Sequence, residues 1–166
     1  MILGMSTASF TLFHVVLSLI GIASGFVVIL AMLSGRRLPG WTALFLVTTV
    51  ATSVTGFFFP SNGLDPAQIV GIISLLVLAA AVLARYTYHL AGNSRWIYVV
   101  AAVLAQWLNT FVAVVQSFQK IPFVHALAPT QKEPPFLVAQ LAVMALMIIL
   151  AVLAIRRFHP PSPAAG

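Results

Sequence analysis

Residues 10–33 read FTLFHVVLSLIGIASGFVVILAML, a run without one charged side chain. A bilayer core is about 30 Å thick and a helix rises about 1.5 Å per residue, so about 20 apolar residues cross it. Working outward, four further apolar runs follow: Trp41–Phe59, Ala67–Tyr88, Trp96–Phe118 and Phe136–Ile155. Strands of a membrane barrel would be alternating segments of about 10 residues. These runs are continuous and about twice that length, so they read as helices. The expectation is an all-α integral membrane bundle of five transmembrane helices. Residues 1–158 form one domain, and 159–166 form a disordered Pro-rich tail.

Composition agrees. Of 166 residues, 61% are hydrophobic and 6% charged, with a mean hydropathy of +1.10. Ordinary soluble domains carry about 25% charged residues. A soluble enzyme, a disordered chain and a nucleic-acid-binding domain are excluded. The net charge of +6 comes from basic residues scattered in pairs, not from a basic face suited to nucleic acid. The absence of cysteine excludes thiol redox chemistry, disulfides, iron–sulfur clusters and covalent haem attachment.

The breaks between runs carry helix punctuation. Asp65 suits an N-cap, Pro66 the first helical position, and Gln68 the reciprocal place in a capping box. Gly92 suits a left-handed C-terminal cap. The first run lacks a basic segment before it and ends in Arg36-Arg37, so it reads as a retained helix and not a cleaved signal.

Cytoplasmic loops collect Lys and Arg. With five helices, Arg36, Arg37, Arg85, Arg95, Arg156 and Arg157 fall on one side, and Lys120 and Lys132 on the other. The N-terminus is therefore expected outside and the C-terminus in the cytoplasm. The same arginines are candidates for anionic lipid headgroups, although setting topology is the plainer role. The expected location is a cell membrane, most simply the bacterial inner membrane.

Once orientation is assigned, polarity separates by depth. His14, Thr52, Ser53, Thr55, Asn109, Thr110, Gln116, Ser117 and Gln140 lie in the outer halves of their runs, with Gln106 near the midplane. The inner halves are almost wholly apolar. On the fourth run, Gln106, Asn109, Thr110, Gln116 and Ser117 fall within an arc of about 120°. A buried unpaired amide costs roughly 2–7 kcal/mol, so that face must meet other polar groups or a cavity. One reading is an outward-facing cup lined by Gln106, Asn109, Gln116, His14, Thr52 and Gln140. The other is interhelical hydrogen bonding.

Further signals are weaker. Gly21 and Gly25 have the small-xxx-small spacing that lets helices approach, within the bundle or in a homo-oligomer. The apolar stretch Phe123 to Leu127, with His125 inside it, suits an interfacial lid over the cup or a simple anchor. His14 and His125 offer the only outer histidine pair for a b-haem, although His125 lies in a loop. Met144 and Met147 read as core packing, not a copper site. No carboxylate lies within a run, which argues against a proton pump. Recognised catalytic motifs are absent, so an enzyme is not supported.

Three functions stay open at this point. The leading one is a small multipass protein whose outward polar pocket binds a quinone-like cofactor or a solute. The others are a non-catalytic accessory subunit packed against a larger membrane complex, and b-haem electron transfer.

Overall fold

The structure is a computed structural model that describes residues 1–61, 63 and 65–160. Residues 161–166, most of the expected Pro-rich tail, lie outside the described residues. The chain folds as α1 (Thr7–Leu33), α2 (Pro39–Gly56), α3 (Pro66–Val82), α4 (Ser94–Lys120), α5 (Pro122–His125) and α6 (Pro134–Arg157). No β-strand occurs among the described residues.

The expected count of five spanning helices needs correction in two places. Among the described residues, four segments are both long and apolar enough to cross a membrane: Thr7–Leu33, Pro66–Thr87, Ser94–Lys120 and Pro134–Arg157. The run that falls short is α2, with 18 residues and six hydroxyl side chains, at Thr42, Thr48, Thr49, Thr52, Ser53 and Thr55. Several of these hydroxyls are satisfied within the helix. Thr48 and Thr55 donate to Leu44 O and Ala51 O, each at 2.7 Å, a return bond that lets a polar residue sit in a helix. The second correction is the sixth helix, α5. Pro122 occupies a first-turn position, where its missing N–H costs nothing, and opens a single turn inside the loop.

The caps follow local chemistry. Ser6 accepts from Ser9 N at 3.1 Å to start α1. Asp65 accepts from Gln68 N at 2.8 Å to start α3. The Gln68 side chain does not complete the capping box; it donates to Ser61 Oγ at 2.7 Å. At its far end α3 widens into a π-helical turn over Leu83–Thr87, closed by Tyr88 N donating to Leu83 O at 3.0 Å. His89 and Leu90 then take positive φ of 49° and 61°, before Gly92. The exit from this helix therefore starts several residues ahead of the expected glycine.

Helix α4 is the centre of the bundle and touches α1, α3 and α6. Its N-terminal half places Val99, Ala102 and Ala105 at 0% exposure. Alanines on that face let neighbouring backbones come close, as packing in lipid requires. Around them lie Val28, Ile29 and Met32 of α1, Phe45 of α2, Leu78 and Ala81 of α3, and Met147 and Ala154 of α6. Alongside, α1 packs on α2, where a Cβ added to Gly21 would meet the Thr48 and Thr49 hydroxyls at 3.3 Å.

Candidate functional site

Four of the six polar residues expected to line a cup are tied to neighbouring helices. Gln106, fully buried, donates from Nε2 to the α1 backbone at Ile22 O, 2.9 Å away. Its Oε1 has no hydrogen-bond partner and lies where a Cβ on Gly25 would sit. Gly25, also beside Phe45, is thus the opening in α1 that admits the Gln106 amide. One helical turn further along α4, Asn109 Nδ2 donates to Thr49 Oγ1 of α2 at 3.1 Å. From α6, Gln140 Nε2 donates to Phe111 O at 3.2 Å.

His14 extends the pattern to the α1–α2 pair. Its Nδ1 lies 2.8 Å from Thr55 Oγ1. The Thr55 proton is already directed to Ala51 O, so the hydroxyl accepts and His14 Nδ1 carries the hydrogen. The ring meets Phe59 edge-on at 5.2 Å between centroids. Thr52 is different: its Oγ1 is buried without a partner. Gln116 is exposed. Four of the six expected residues thus form separate interhelical ties, Thr52 and Gln116 form none, and the cavities described below are lined by none of the six.

The expected lid is strapped down at its base. His125 Nδ1 donates to Phe118 O at 2.9 Å, satisfying a carbonyl in the last turn of α4. Gln131 Nε2 donates to Val115 O at 3.1 Å. Phe123, at 75% exposure, points away from the bundle. No hydrogen bond joins His14 to His125 among the described residues, and each places its Nδ1 on a different protein partner.

Two concavities carry other residues. On the side of the bundle, α4 and α6 enclose a groove of about 280 Å³ lined by Val100, Leu104, Trp107, Met144, Ile148 and Ala151, among others. Its walls are apolar; the indole nitrogen of Trp107 is buried behind them without an acceptor. At the arginine end is a cavity of about 10 Å³, bordered by Arg36, Arg37, Arg85, Thr42, Tyr98 and Phe158.

Sequence reasoning missed both. An apolar groove leaves no mark in a sequence already dominated by apolar residues. The arginine-end cavity had a partial signal, in three arginines placed on one side, but nothing indicated that Thr42 and Tyr98 would join them. The Thr49 partner of Asn109 was also unmarked, since it lies one turn deeper than the expected Thr52. No protein-family model matches the chain, and neither a curated protein nor a solved structure is significantly similar to it.

Proposed function

We propose that this chain is a multipass membrane protein acting as a non-catalytic subunit of a larger membrane complex. The observation that carries the reading is the use made of its polar side chains. Gln106, Asn109, Gln140 and His14 each bond directly to a neighbouring helix, which uses their donors in holding the bundle. The groove on the α4–α6 flank is the surface assigned to the partner, because it is a wholly apolar concavity of about 280 Å³ on the side of the bundle, roomy enough for a partner helix's side chains.

In this reading α2 crosses the bilayer as the fifth span, at about 27 Å just long enough for a thin core. The arginine end faces the cytoplasm, where the basic residues also attract anionic headgroups. The bacterial inner membrane is the proposed setting.

A second reading keeps the outward polar pocket for a quinone-like molecule or solute. It draws support from the unpartnered Thr52 Oγ1, Gln106 Oε1 and Gln140 Oε1, which could accept from a ligand. One experiment separates the two. The native mass of the protein extracted in mild detergent is compared for wild type, Leu104→Trp with Ile148→Trp, and Asn109→Leu. The subunit reading expects a hetero-complex that the groove-filling pair dissociates and Asn109→Leu leaves assembled. A lone chain carrying a small molecule that Asn109→Leu removes would replace it with the pocket reading.

A further inference from the structure

We propose that the arginine end holds a discrete binding site for a single phosphate group, built from Arg36, Arg37, Arg85, Thr42 and Tyr98. The inference deepens the reading of this end as headgroup-facing and rests on it. It goes further by replacing diffuse attraction with one site of defined donors.

Three guanidinium groups border one small cavity, and no acidic side chain of the chain is near to balance them. The chain has two carboxylates. Asp65 caps the start of α3 and Glu133 the start of α6, both at the opposite end of the bundle. Like charges gathered beside a low-dielectric interior call for an anion from outside the chain.

A comparison within the same end sharpens the point. Arg95 has partners in the protein: its Nη1 donates to Ile155 O at 3.0 Å and Phe158 O at 2.8 Å. No carbonyl or carboxylate engages Arg36, Arg37 or Arg85 in this way among the described residues. Arg85 is held by two aromatic faces instead, its guanidinium carbon 5.6 Å from the Tyr86 ring centre and 5.4 Å from that of Tyr98. Stacking of this kind orients a guanidinium and leaves its edge N–H groups free to donate.

The backbone places that fork deliberately. Arg85 is the middle residue of the π-helical turn, a wide turn frequently found at functional sites. Below it, Thr42 and Tyr98 border the cavity at 2% and 1% exposure. Their hydroxyl groups are neutral donors suited to an anionic oxygen. A space of about 10 Å³ takes one water-sized atom. A single phosphate oxygen fits, and the rest of the group would remain at the mouth between Arg36 and Arg37, both exposed.

The shared chemistry is a phosphate monoester or diester, supplied either by an anionic phospholipid or by a soluble phosphate. The full chain in neutral detergent is titrated with phosphatidylglycerol, phosphatidylcholine or inorganic phosphate, with native mass spectrometry and thermal stability as readouts. We expect one phosphatidylglycerol bound with at least about tenfold preference over phosphatidylcholine, the scale of a charge-assisted fork. Arg85→Gln should remove that preference, and so should Arg36→Gln with Arg37→Gln, whose exposed positions leave folding intact. Arg156→Gln, outside the cavity lining, should keep it within about twofold.

Protection by phosphatidylglycerol assigns the site to lipid, and protection by inorganic phosphate alone assigns it to a soluble phosphate; either upholds it. The proposal is overturned if neither binds preferentially, or if Arg156→Gln weakens binding as much as Arg85→Gln. Because the titration is done in detergent, its outcome does not depend on orientation. Labelling of Ser34→Cys or Ser94→Cys from outside intact cells would refute the cytoplasmic placement alone.

Discussion

The two halves of this bundle are held together by different means. Toward the arginine end, α1, α3 and α4 meet through the apolar side chains of Val28, Ile29, Leu78, Ala81, Val99 and Ala102. Toward the other end, contact between helices is fastened by Gln106, Asn109, His14 and Gln140. Lipid tails are as apolar as Leu, so burial alone does not drive helices together in a membrane. Between its helices the first half relies on close packing around small residues, with Arg95 as a clasp at its tip, and the second relies on directed bonds. Gly25 and Gln106 sit at the boundary, where one device becomes the other.

That boundary is where the largest effect is expected. Gly25→Leu would force a side chain into the space of the Gln106 amide and the Phe45 ring. We expect a loss of roughly 3 kcal/mol, at the upper end of overpacking, read as reversible unfolding in mixed detergent. Gly25→Ala should cost less, and Gln106→Ala should relieve part of it, because Gln106 is what the added methyl meets. Additive effects in that double-mutant cycle would show that the glycine and the amide do not share a site.

Next in size is Arg95→Gln. It removes the charge-assisted bonds to Ile155 O and Phe158 O, worth about 1.5 kcal/mol where a charged donor is lost. The end of α6 should loosen, with faster amide exchange near Phe158 and little change in α2. Protection lost uniformly along the chain would contradict a local clasp.

Asn109→Leu follows, expected to cost about 0.6–1.7 kcal/mol, the range of interhelical bonds in lipid. The comparison of halves is sharpened by Ala102→Ser, which adds a polar group where packing is dry. If Asn109→Leu were neutral and Thr49→Val costly, the half away from the arginines would be held by packing at Thr49 and not by the bond.

Much of this architecture was legible from residue pattern, for reasons that differ by element. The long helices follow from bilayer thickness and hydropathy, which α1, α4 and α6 satisfy with a wide margin. The hydroxyl-rich α2 lies near the threshold, and periodicity does not reveal that Thr48 and Thr55 return their protons to the helix. The polar stripe of α4 was visible as a stripe. Whether it faces space or another helix depends on the approach of α1 at Gly25, a tertiary distance. The single turn α5 and the π-helical turn at Arg85 are shorter than any pattern that could announce them.

The smallest effect expected lies in the loop before α6, outside both halves, and it tests whether that loop depends on charge. Glu133 accepts from Thr130 Oγ1 at 2.8 Å and from the backbone amides of Thr130 and Lys132. The Thr130 hydrogen bond, first among these, holds the carboxyl below its ordinary pKa despite full exposure. A carboxylate depressed in the folded state stabilises it above the unfolded pKa. That contribution fades as pH falls through the lowered folded value. Hydrogen exchange at the Thr130 and Lys132 amides should therefore show protection, corrected for intrinsic rates, that is constant near neutrality and declines only in acid. Glu133→Gln should remove the acid dependence and leave α4 protection unchanged. If protection at Thr130 instead stayed constant well into acid, the Glu133 carboxylate would not be what holds the loop.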